Sequence, residues 1–180
     1  KIAHRPKKPH GSIKSASHNL GMKKFVILTT IAFVVFTLDQ AIKLAFIAGF
    51  SFECEAFTLG NAQMYNALVY NTGVAFSLFA FLGEWLKFIQ VLLLVALFAF
   101  TLFGGLLAQH SIAFGLIFGA GASNVFDRFI RDGVVDYVYW HYGFEWAIFN
   151  FADVMIDLGV GIIILQMILA KKKTDNELNI

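Results

Sequence analysis

The sequence has 180 residues, of which 58% are apolar by type and only 14% are charged, and its mean hydropathy is +0.71. Soluble domains typically hold about 45–50% apolar and about 25% charged residues, so this composition excludes a soluble globular domain and a disordered chain. The single cysteine, Cys54, excludes an internal disulfide and a multi-cysteine metal site. We therefore predict one small polytopic membrane domain that is all-α in class.

The first 21 residues lack hydrophobic periodicity and are rich in Gly, Ser, Pro, His and Lys. Met22 then precedes two lysines and an apolar stretch, a pattern typical of a translation start behind a tail added for expression. The predicted parts are a disordered tail over residues 1–21, the membrane domain over residues 22–170 and a basic cytoplasmic tail over residues 171–180.

Four apolar runs predict four transmembrane helices. The first begins near Phe25 and continues for about twenty residues, the length that a bilayer requires. No Asp, Glu, Lys or Arg occurs from Phe88 to Phe126, a stretch that suits two crossings with a turn at the polar Gln109-His110-Ser111. The remaining helices are predicted at residues 85–108, 112–129 and 149–170.

The basic residues predict the orientation of these helices. Ten of the 14 Lys and Arg residues lie before the first helix or directly after the last. Cations that flank apolar spans mark the cytoplasmic side more often than they mark a nucleic-acid site, so we expect both termini in the cytoplasm and no nucleic-acid partner.

The two long connections then lie on the outer side of the membrane. Strand-like alternation over residues 67–70 and 134–140 predicts a small extracytoplasmic β-rich segment, and residues 76–87 predict an interfacial amphipathic helix. The three tryptophans, Trp85, Trp140 and Trp146, are predicted to form an aromatic belt at the membrane interface.

Polar residues gather at one predicted depth, near the outer face. An ionisable side chain within a span costs at least about 2.5–3.5 kcal/mol, which makes each one a candidate functional residue. A proton pathway would distribute such groups through the membrane, whereas these indicate a site open to the outer leaflet. The group comprises Asp39, Lys43, Asn124, Asp127, Arg128, Asn150 and Asp153, with Asp136 in the adjacent connection.

Structural roles are the first interpretation for part of this group. Asp39 and Lys43 are four residues apart, so an ion pair along one helix face is expected. Asp127 and Arg128 are predicted to anchor the third helix at the lipid headgroups.

Asp136 and Asp153 have no adjacent cation in the sequence. Two carboxyl groups in a partly dry site share one proton, which provides a general base and a general acid side by side. Asp153 is also consistent with a helix N-terminal carboxylate, and Asp157, one turn along, is a rival partner. The residues alone leave these alternatives open.

The sequence lacks the residues that other kinds of catalytic or binding site would need. His141 is the one histidine near the outer group, so a hydrolase with histidine partners is disfavoured. The glycines between Gly115 and Ser123 predict close packing of membrane helices rather than a phosphate loop.

Five short motifs follow one another in a recognisable order. They are Asp39-Gln40-Ala41-Ile42-Lys43, Asn71-Thr72-Gly73-Val74-Ala75-Phe76, Asn124-Val125-Phe126-Asp127-Arg128, Gly133-Val134-Val135-Asp136-Tyr137 and Phe149-Asn150-Phe151-Ala152-Asp153. Over residues 22–170 the chain resembles the bacterial lipoprotein signal peptidases, also called signal peptidase II. Ala120 and Ser123 depart from the pattern, since the family usually has glycine at these two positions.

The resemblance implies an inner-membrane aspartyl endopeptidase that removes the signal peptide from diacylglyceryl-modified prolipoproteins, before the lipidated cysteine. It implies that Asp136 and Asp153 are the catalytic pair. Residues implied to bind substrate or support the site are Asp39, Lys43, Asn71, Gly73, Asn124, Asp127, Arg128 and Asn150. No metal or cofactor is implied; the expected partners are prolipoproteins and membrane lipids, and the chain is expected to be a monomer.

Two other functions remain as alternatives. One is a small proton-coupled transporter that uses the outer carboxylates. The other is a non-enzymatic assembly factor whose Phe-rich surface holds partner helices.

Overall fold

The computed structural model of the chain describes residues 11–50, 63–73, 79–142, 144–145 and 148–178. These residues form, in order, α1 (Gly11–Ile47), β1 (Gln63–Asn71), α2 (Trp85–Phe103), α3 (Leu107–Ile130), β2 (Val134–Tyr142), β3 (Phe144–Glu145) and α4 (Phe151–Leu178). A three-residue 3₁₀ turn, Ala80–Leu82, precedes α2. The chain is therefore mostly helical with one small sheet, as predicted.

Helix α3 packs against all three other helices. Small residues permit the closest approaches: a Cβ atom added to Gly119 would lie 2.4 Å from the carbonyl oxygen of Ala32 in α1. A Cβ atom on Gly159 of α4 would lie 2.8 Å from the carbonyl oxygen of Ala113. These contacts confirm that the glycines serve helix packing.

Ala120 and Ser123, at the two positions where the resemblance led us to expect glycine, are both fully buried in α3. Ala120 packs with Val35 and Ala152 in one apolar cluster between α1, α3 and α4. A methyl group is therefore accommodated at this crossing.

The turn between α2 and α3 lies earlier than predicted. Helix α2 ends at Phe103, Gly104 is its C-cap residue, and Gly105 has a φ of 74°. The predicted end at residue 108 and turn at residues 109–111 are therefore wrong, because a glycine in the left-handed region ends a helix more effectively than polar side chains do. His110 instead marks a kink within α3, with φ −124° and ψ 24°.

The sheet has the strand order β1-β2-β3, and both pairs are antiparallel. Asn71 lies opposite Val134 and Val69 lies opposite Asp136, with an irregularity between Asn66 and Val69. Both predicted strand segments are therefore present, and each is longer than the pattern that predicted it. This register brings the end of β1 beside the residue Asp136 in β2.

Three other expectations differ from the structure. Residues 11–21, expected to be disordered, extend α1 at its N-terminus, because adding a residue to an existing helix costs far less than nucleating one. Helix α4 continues beyond residue 170 to Leu178, with Lys173 and Glu177 one turn apart. Over residues 79–84 only the 3₁₀ turn forms in place of the predicted interfacial helix, since Phe79 and Gly83 have positive φ values. Residues 85–87 belong to α2, and residues 76–78 lie outside the described residues.

Among the described residues, three helical segments are long and apolar enough to cross a membrane: Asn19–Ile47, Trp85–Phe103 and Phe151–Glu177. Helix α3 has 24 residues, about 36 Å at a rise of about 1.5 Å per residue. Its polar and small residues lower its hydropathy, and the neighbouring helices cover much of its surface. A crossing by α3 stays a prediction.

Candidate functional site

The polar residues singled out in the sequence meet at one end of the helices. Helices α1 and α3 reach this end with their last turns, α4 begins there, and the sheet lies against all three. Tyr137 of β2 secures the sheet by stacking on Phe46 of α1, with ring centroids 4.1 Å apart. Its hydroxyl oxygen also accepts a hydrogen bond from the backbone N–H of Phe151 at 2.9 Å.

One part of this region is a cluster of buried ion pairs around Lys43. The ammonium Nζ lies 2.6 Å from Asp39 Oδ2 and 2.7 Å from Asp127 Oδ2, and all three side chains are 0% exposed. A third hydrogen bond, 2.8 Å long, runs from Nζ to Asn124 Oδ1. The predicted pair of Asp39 and Lys43 is thus confirmed, and all three ammonium donors of the lysine have acceptors.

Asp127 has a second cationic partner, which lies within α3 itself. Asp127 pairs with Arg131, four residues along α3, and accepts a hydrogen bond from Gln40 Nε2 at 2.9 Å. The reason is helical geometry, since adjacent residues point away from each other whereas residues four apart share a face. Arg131 also donates to Gln40 Oε1 at 3.1 Å.

Asp39 links this cluster to the first turn of α4. Its Oδ1 accepts the backbone N–H of Ala152 at 2.9 Å, and its Oδ2 accepts the hydroxyl of Ser123 at 2.6 Å. The serine oxygen in turn accepts from Gln40 Nε2 at 2.8 Å. We call Asp39, Gln40, Lys43, Ser123, Asp127 and Arg131 the ion-pair cluster.

The other part of the region is the aspartate pair, Asp136 and Asp153, which asparagine side chains hold. Asp136 Oδ1 accepts from Asn150 Nδ2 at 2.7 Å, and its Oδ2 accepts from Asn71 Nδ2 at 3.0 Å. Asp153 Oδ1 accepts from Asn124 Nδ2 at 2.9 Å. Asn124 also receives the hydrogen bond from Lys43, so this amide separates the lysine from Asp153.

Asn150 joins the two aspartates by capping α4. Its Oδ1 accepts the backbone N–H of Asp153 at 3.0 Å, while Asp153 Oδ2 accepts the backbone N–H of Asn150 at 3.1 Å. This is the reciprocal arrangement of a capping box. Since Asn150 Nδ2 also donates to Asp136, one residue orients both carboxyl groups.

Burial changes the acidity of Asp136, whose residue is 2% exposed. Removal from water disfavours the charged form and raises the pKa of Asp136 from its ordinary 3.8 to about 6, although the hydrogen bonds from Asn71 and Asn150 act in the opposite direction. The negative charge of Asp153 adds to the increase. The two carboxyl groups are therefore close enough for one to influence the proton affinity of the other.

Arg128 holds the turn that follows β1. It is buried and donates from NH1 to the backbone carbonyl of Asn71 at 3.2 Å and from NH2 to that of Gly73. The side chain Oδ1 of Asn71 accepts the backbone N–H of Gly73 at 2.9 Å, forming an Asx turn. Arg128 and this turn hold the Asn71 amide against Asp136.

All ten residues predicted for the site lie in these two groups or contact them: Asn71, Asn124 and Asn150 hold the aspartate pair, and Arg128 and Gly73 form the turn beside it. Asp157, the rival partner of Asp153, is exposed on α4. Gln40, Ser123, Arg131 and Tyr137 were missed as site residues. Gln40 and Tyr137 stand within the quoted motifs, and the four-residue spacing from Asp127 to Arg131 was a usable signal.

The arrangement suits proton transfer. The aspartate pair combines a carboxyl group whose pKa lies near neutral pH with a second carboxyl group beside it, as general acid and base catalysis requires. Within the part of the chain that the structure describes, no group of three or more His, Cys, Asp or Glu residues could hold a metal ion.

Known proteins are similar to this chain in sequence and in fold. The family model described as signal peptidase (SPase) II matches residues 31–169. A lipoprotein signal peptidase of Helicobacter pylori is 49% identical over 152 residues, covering 84% of this chain and 92% of that protein. One from Campylobacter jejuni is 45% identical over 158 residues, covering 87% and 97%.

The fold also has solved counterparts. A structure described as a bacterial membrane enzyme matches with a TM-score of 0.62 and 24% identity, covering 83% of this chain and 90% of that chain. A second structure with the same description has a TM-score of 0.59 and 23% identity, covering 78% and 91%. The likeness in fold therefore extends over most of both chains.

Proposed function

Because the chain belongs to the signal peptidase II family, we propose that it is an aspartic endopeptidase acting on lipid-modified prolipoproteins in the bacterial inner membrane. It removes the signal peptide by cutting before the lipidated cysteine. The observation that carries this proposal is the aspartate pair, in which Asn150 donates to Asp136 and caps α4 together with Asp153.

The proposed chemistry divides acid and base roles between the two aspartates. One, ionised, takes a proton from a water molecule, and that water attacks the carbonyl carbon of the scissile peptide bond. The other, protonated, donates to the peptide oxygen, so the pair keeps one shared proton through the addition step. The raised pKa of Asp136 supports a protonated carboxyl group at this position in weakly acidic conditions.

The asparagines and the ion-pair cluster have supporting roles in this mechanism. Asn71, Asn124 and Asn150 orient the carboxyl oxygens of the pair through hydrogen bonds of 2.7–3.0 Å. Arg128 keeps the turn at Gly73 in place, and Asp39 holds the start of α4 through Ala152. Positioning of this kind lowers a reaction barrier by reducing the motion needed to reach the transition state.

The membrane arrangement follows from the same proposal. We propose four crossings with α3 as the third, both termini in the cytoplasm, and the aspartate pair near the outer leaflet. The end of the helices that carries the sheet is then the outer end, and the lysines after residue 170 lie on the cytoplasmic side. Substrate enters sideways from the lipid, and a single copy of the chain is sufficient because both aspartates come from it.

Cleavage of a lipid-modified prolipoprotein by purified protein tests the catalytic assignment. We expect Asp136→Asn and Asp153→Asn each to reduce kcat by about 10²–10⁴-fold, since each removes an acid or base group. Asp157→Asn is the matched control, because that carboxylate is exposed on the same helix, and it should cleave as the wild type does.

Circular dichroism and gel filtration establish that each variant is folded before its rate is compared. A folded Asp136→Asn or Asp153→Asn protein with full cleavage would contradict the assignment. Equal turnover of a precursor without lipid would contradict the substrate class, and a proton flux in proteoliposomes that Asp153→Asn abolishes would favour the transporter.

A further inference from the structure

A second polar site lies beside the aspartate pair, between the start of α2 and the end of α3. It is a cavity of ≈ 80 Å³. One water molecule needs about 10–15 Å³ of such space, so the cavity has room for a group of the size of a phosphate. Its lining residues are Thr72, Gly83, Glu84, Leu86, Lys87, Arg128 and Asp132.

Arg128 provides the first reason to expect a ligand in this cavity. The residue is 6% exposed, and two of its guanidinium nitrogens donate to the carbonyls of Asn71 and Gly73. Its Nε–H is buried and has no acceptor among the described residues. A buried charged donor without an acceptor is unfavourable, so an acceptor supplied by a bound molecule would stabilise it.

Lys87 and the start of α2 provide the second reason. The Lys87 side chain is 15% exposed, and its ion pair with Glu84 uses one of three ammonium donors. Helix α2 begins at Trp85, and Glu84 at its N-cap makes no side-chain capping bond. The backbone N–H of Leu86 donates to the carbonyl of Gly83 at 3.1 Å, and the other first-turn N–H groups and the helix dipole favour an anion at this position.

The carboxylates in the cavity lining restrict the kind of anion. Glu84 and Asp132 are both exposed, and both border the cavity that Lys87 and Arg128 border. A simple anion would be repelled by these two groups, whereas a zwitterion satisfies both signs of charge. A phosphodiester beside the cations and an ammonium group beside the carboxylates match this pattern.

The position of the cavity indicates where such a molecule comes from. Trp85, at the start of α2, is 72% exposed, and Phe88 and Phe129 beside it are also exposed. Exposed aromatic side chains at the end of an apolar helix are typical of the level of the lipid headgroups. From these observations we infer that the cavity binds the headgroup of a phospholipid carrying a phosphodiester and a primary ammonium group, as in phosphatidylethanolamine.

A headgroup bound in this cavity would affect the aspartate pair through Arg128. The same guanidinium that meets the phosphate holds the carbonyl of Asn71, and the Asn71 side chain donates to Asp136 at 3.0 Å. A bound headgroup therefore restrains Arg128 and, through it, the end of β1. This role goes beyond peptide cleavage and does not depend on which bond the pair cuts.

Native mass spectrometry of delipidated protein tests the inference with a binding readout. We expect phosphatidylethanolamine to bind wild-type protein, and Lys87→Gln to weaken that binding about tenfold, since one charge-assisted hydrogen bond is lost. The matched control is Lys171→Gln, which removes an exposed lysine far along α4 and should bind as the wild type does. Phosphatidylglycerol, which lacks the ammonium group, should bind more weakly than phosphatidylethanolamine.

Several results would overturn the inference. Equal binding by Lys87→Gln and wild-type protein would exclude a phosphate contact with Lys87, and equal binding of diacylglycerol would exclude recognition of the headgroup. If inorganic phosphate alone displaced the lipid, the cavity would be a site for simple anions and not for a phospholipid headgroup. If phosphatidylethanolamine and phosphatidylglycerol bound with equal affinity, and Glu84→Gln changed neither affinity, a contact between the lipid ammonium group and the carboxylates would be excluded.

Discussion

Asp39 and Asp127 in the ion-pair cluster share the ammonium group of Lys43, whereas the hydrogen bonds described for Asp136 and Asp153 come from amide and backbone N–H groups. Both groups are buried at the same end of the helices, yet they differ in charge compensation. A carboxylate that shares a cation has its negative charge compensated, whereas neutral hydrogen-bond donors leave that charge uncompensated. Neighbouring carboxyl groups of similar burial can therefore serve structure in one case and proton transfer in the other.

Removing the shared cation should have the largest effect on stability. Lys43→Met keeps the length of the side chain but leaves Asp39 without a cation and Asp127 with Arg131 alone. We expect a loss of about 3–5 kcal/mol in the free energy of unfolding, because a buried ion pair is broken from one side. Denaturant unfolding in detergent measures it, with Lys171→Met as the control.

A Lys43→Met protein as stable as the wild type would contradict the structural role of the ion-pair cluster. In that case the buried charges of Asp39 and Asp127 would be compensated by their remaining hydrogen-bond donors, and the difference between the two groups of carboxylates would disappear.

The second largest effect should be a pH dependence that belongs to Asp136. The pKa of this group is about 6 in the folded protein and near its ordinary 3.8 when unfolded. Its contribution to stability is complete below about pH 4 and is lost as the pH rises through about 6, in total about 3 kcal/mol. Asp136→Asn cannot ionise, so the stability of wild-type protein relative to this variant should fall from pH 4 to pH 7.

Thermal unfolding of both proteins at a series of pH values measures this difference. A stability difference that does not change between pH 4 and pH 7 would show that Asp136 has an ordinary pKa, and one that changes in the opposite direction would show that its pKa is lowered; either result would contradict the prediction.

The smallest effect should come from Asp153, although its predicted effect on cleavage is among the largest. Asp153→Ala removes the carboxylate of the capping box and its hydrogen bond from Asn124. Loss of one capping interaction costs about 0.5–2 kcal/mol, so the variant should remain folded while cleavage is abolished. Unfolding and cleavage measured on the same preparation separate the two effects; loss of folding would mean that Asp153 is chiefly a capping residue.

Local patterns in the sequence predicted some contacts of the site and missed others. The spacing of Asp39 and Lys43 predicted their ion pair, since it lies within one helix. The pairing of Asp127 with Arg131 was not predicted, although a helix places residue 131 on the same face as Asp127. Lys43 and Asp127, 84 residues apart, have no signal that links them in the sequence.

The composition and the order of the apolar runs were sufficient to predict that this is a membrane protein built mostly of helices. Transfer into lipid and helix formation both depend on residues that are neighbours in the sequence. The motifs alone were sufficient to indicate the family. Only the tertiary structure decided which carboxylates are neutralised by Lys43 and which are held by asparagines. The physical reason is that charge compensation and burial depend on distances of a few ångströms between residues that lie far apart along the chain.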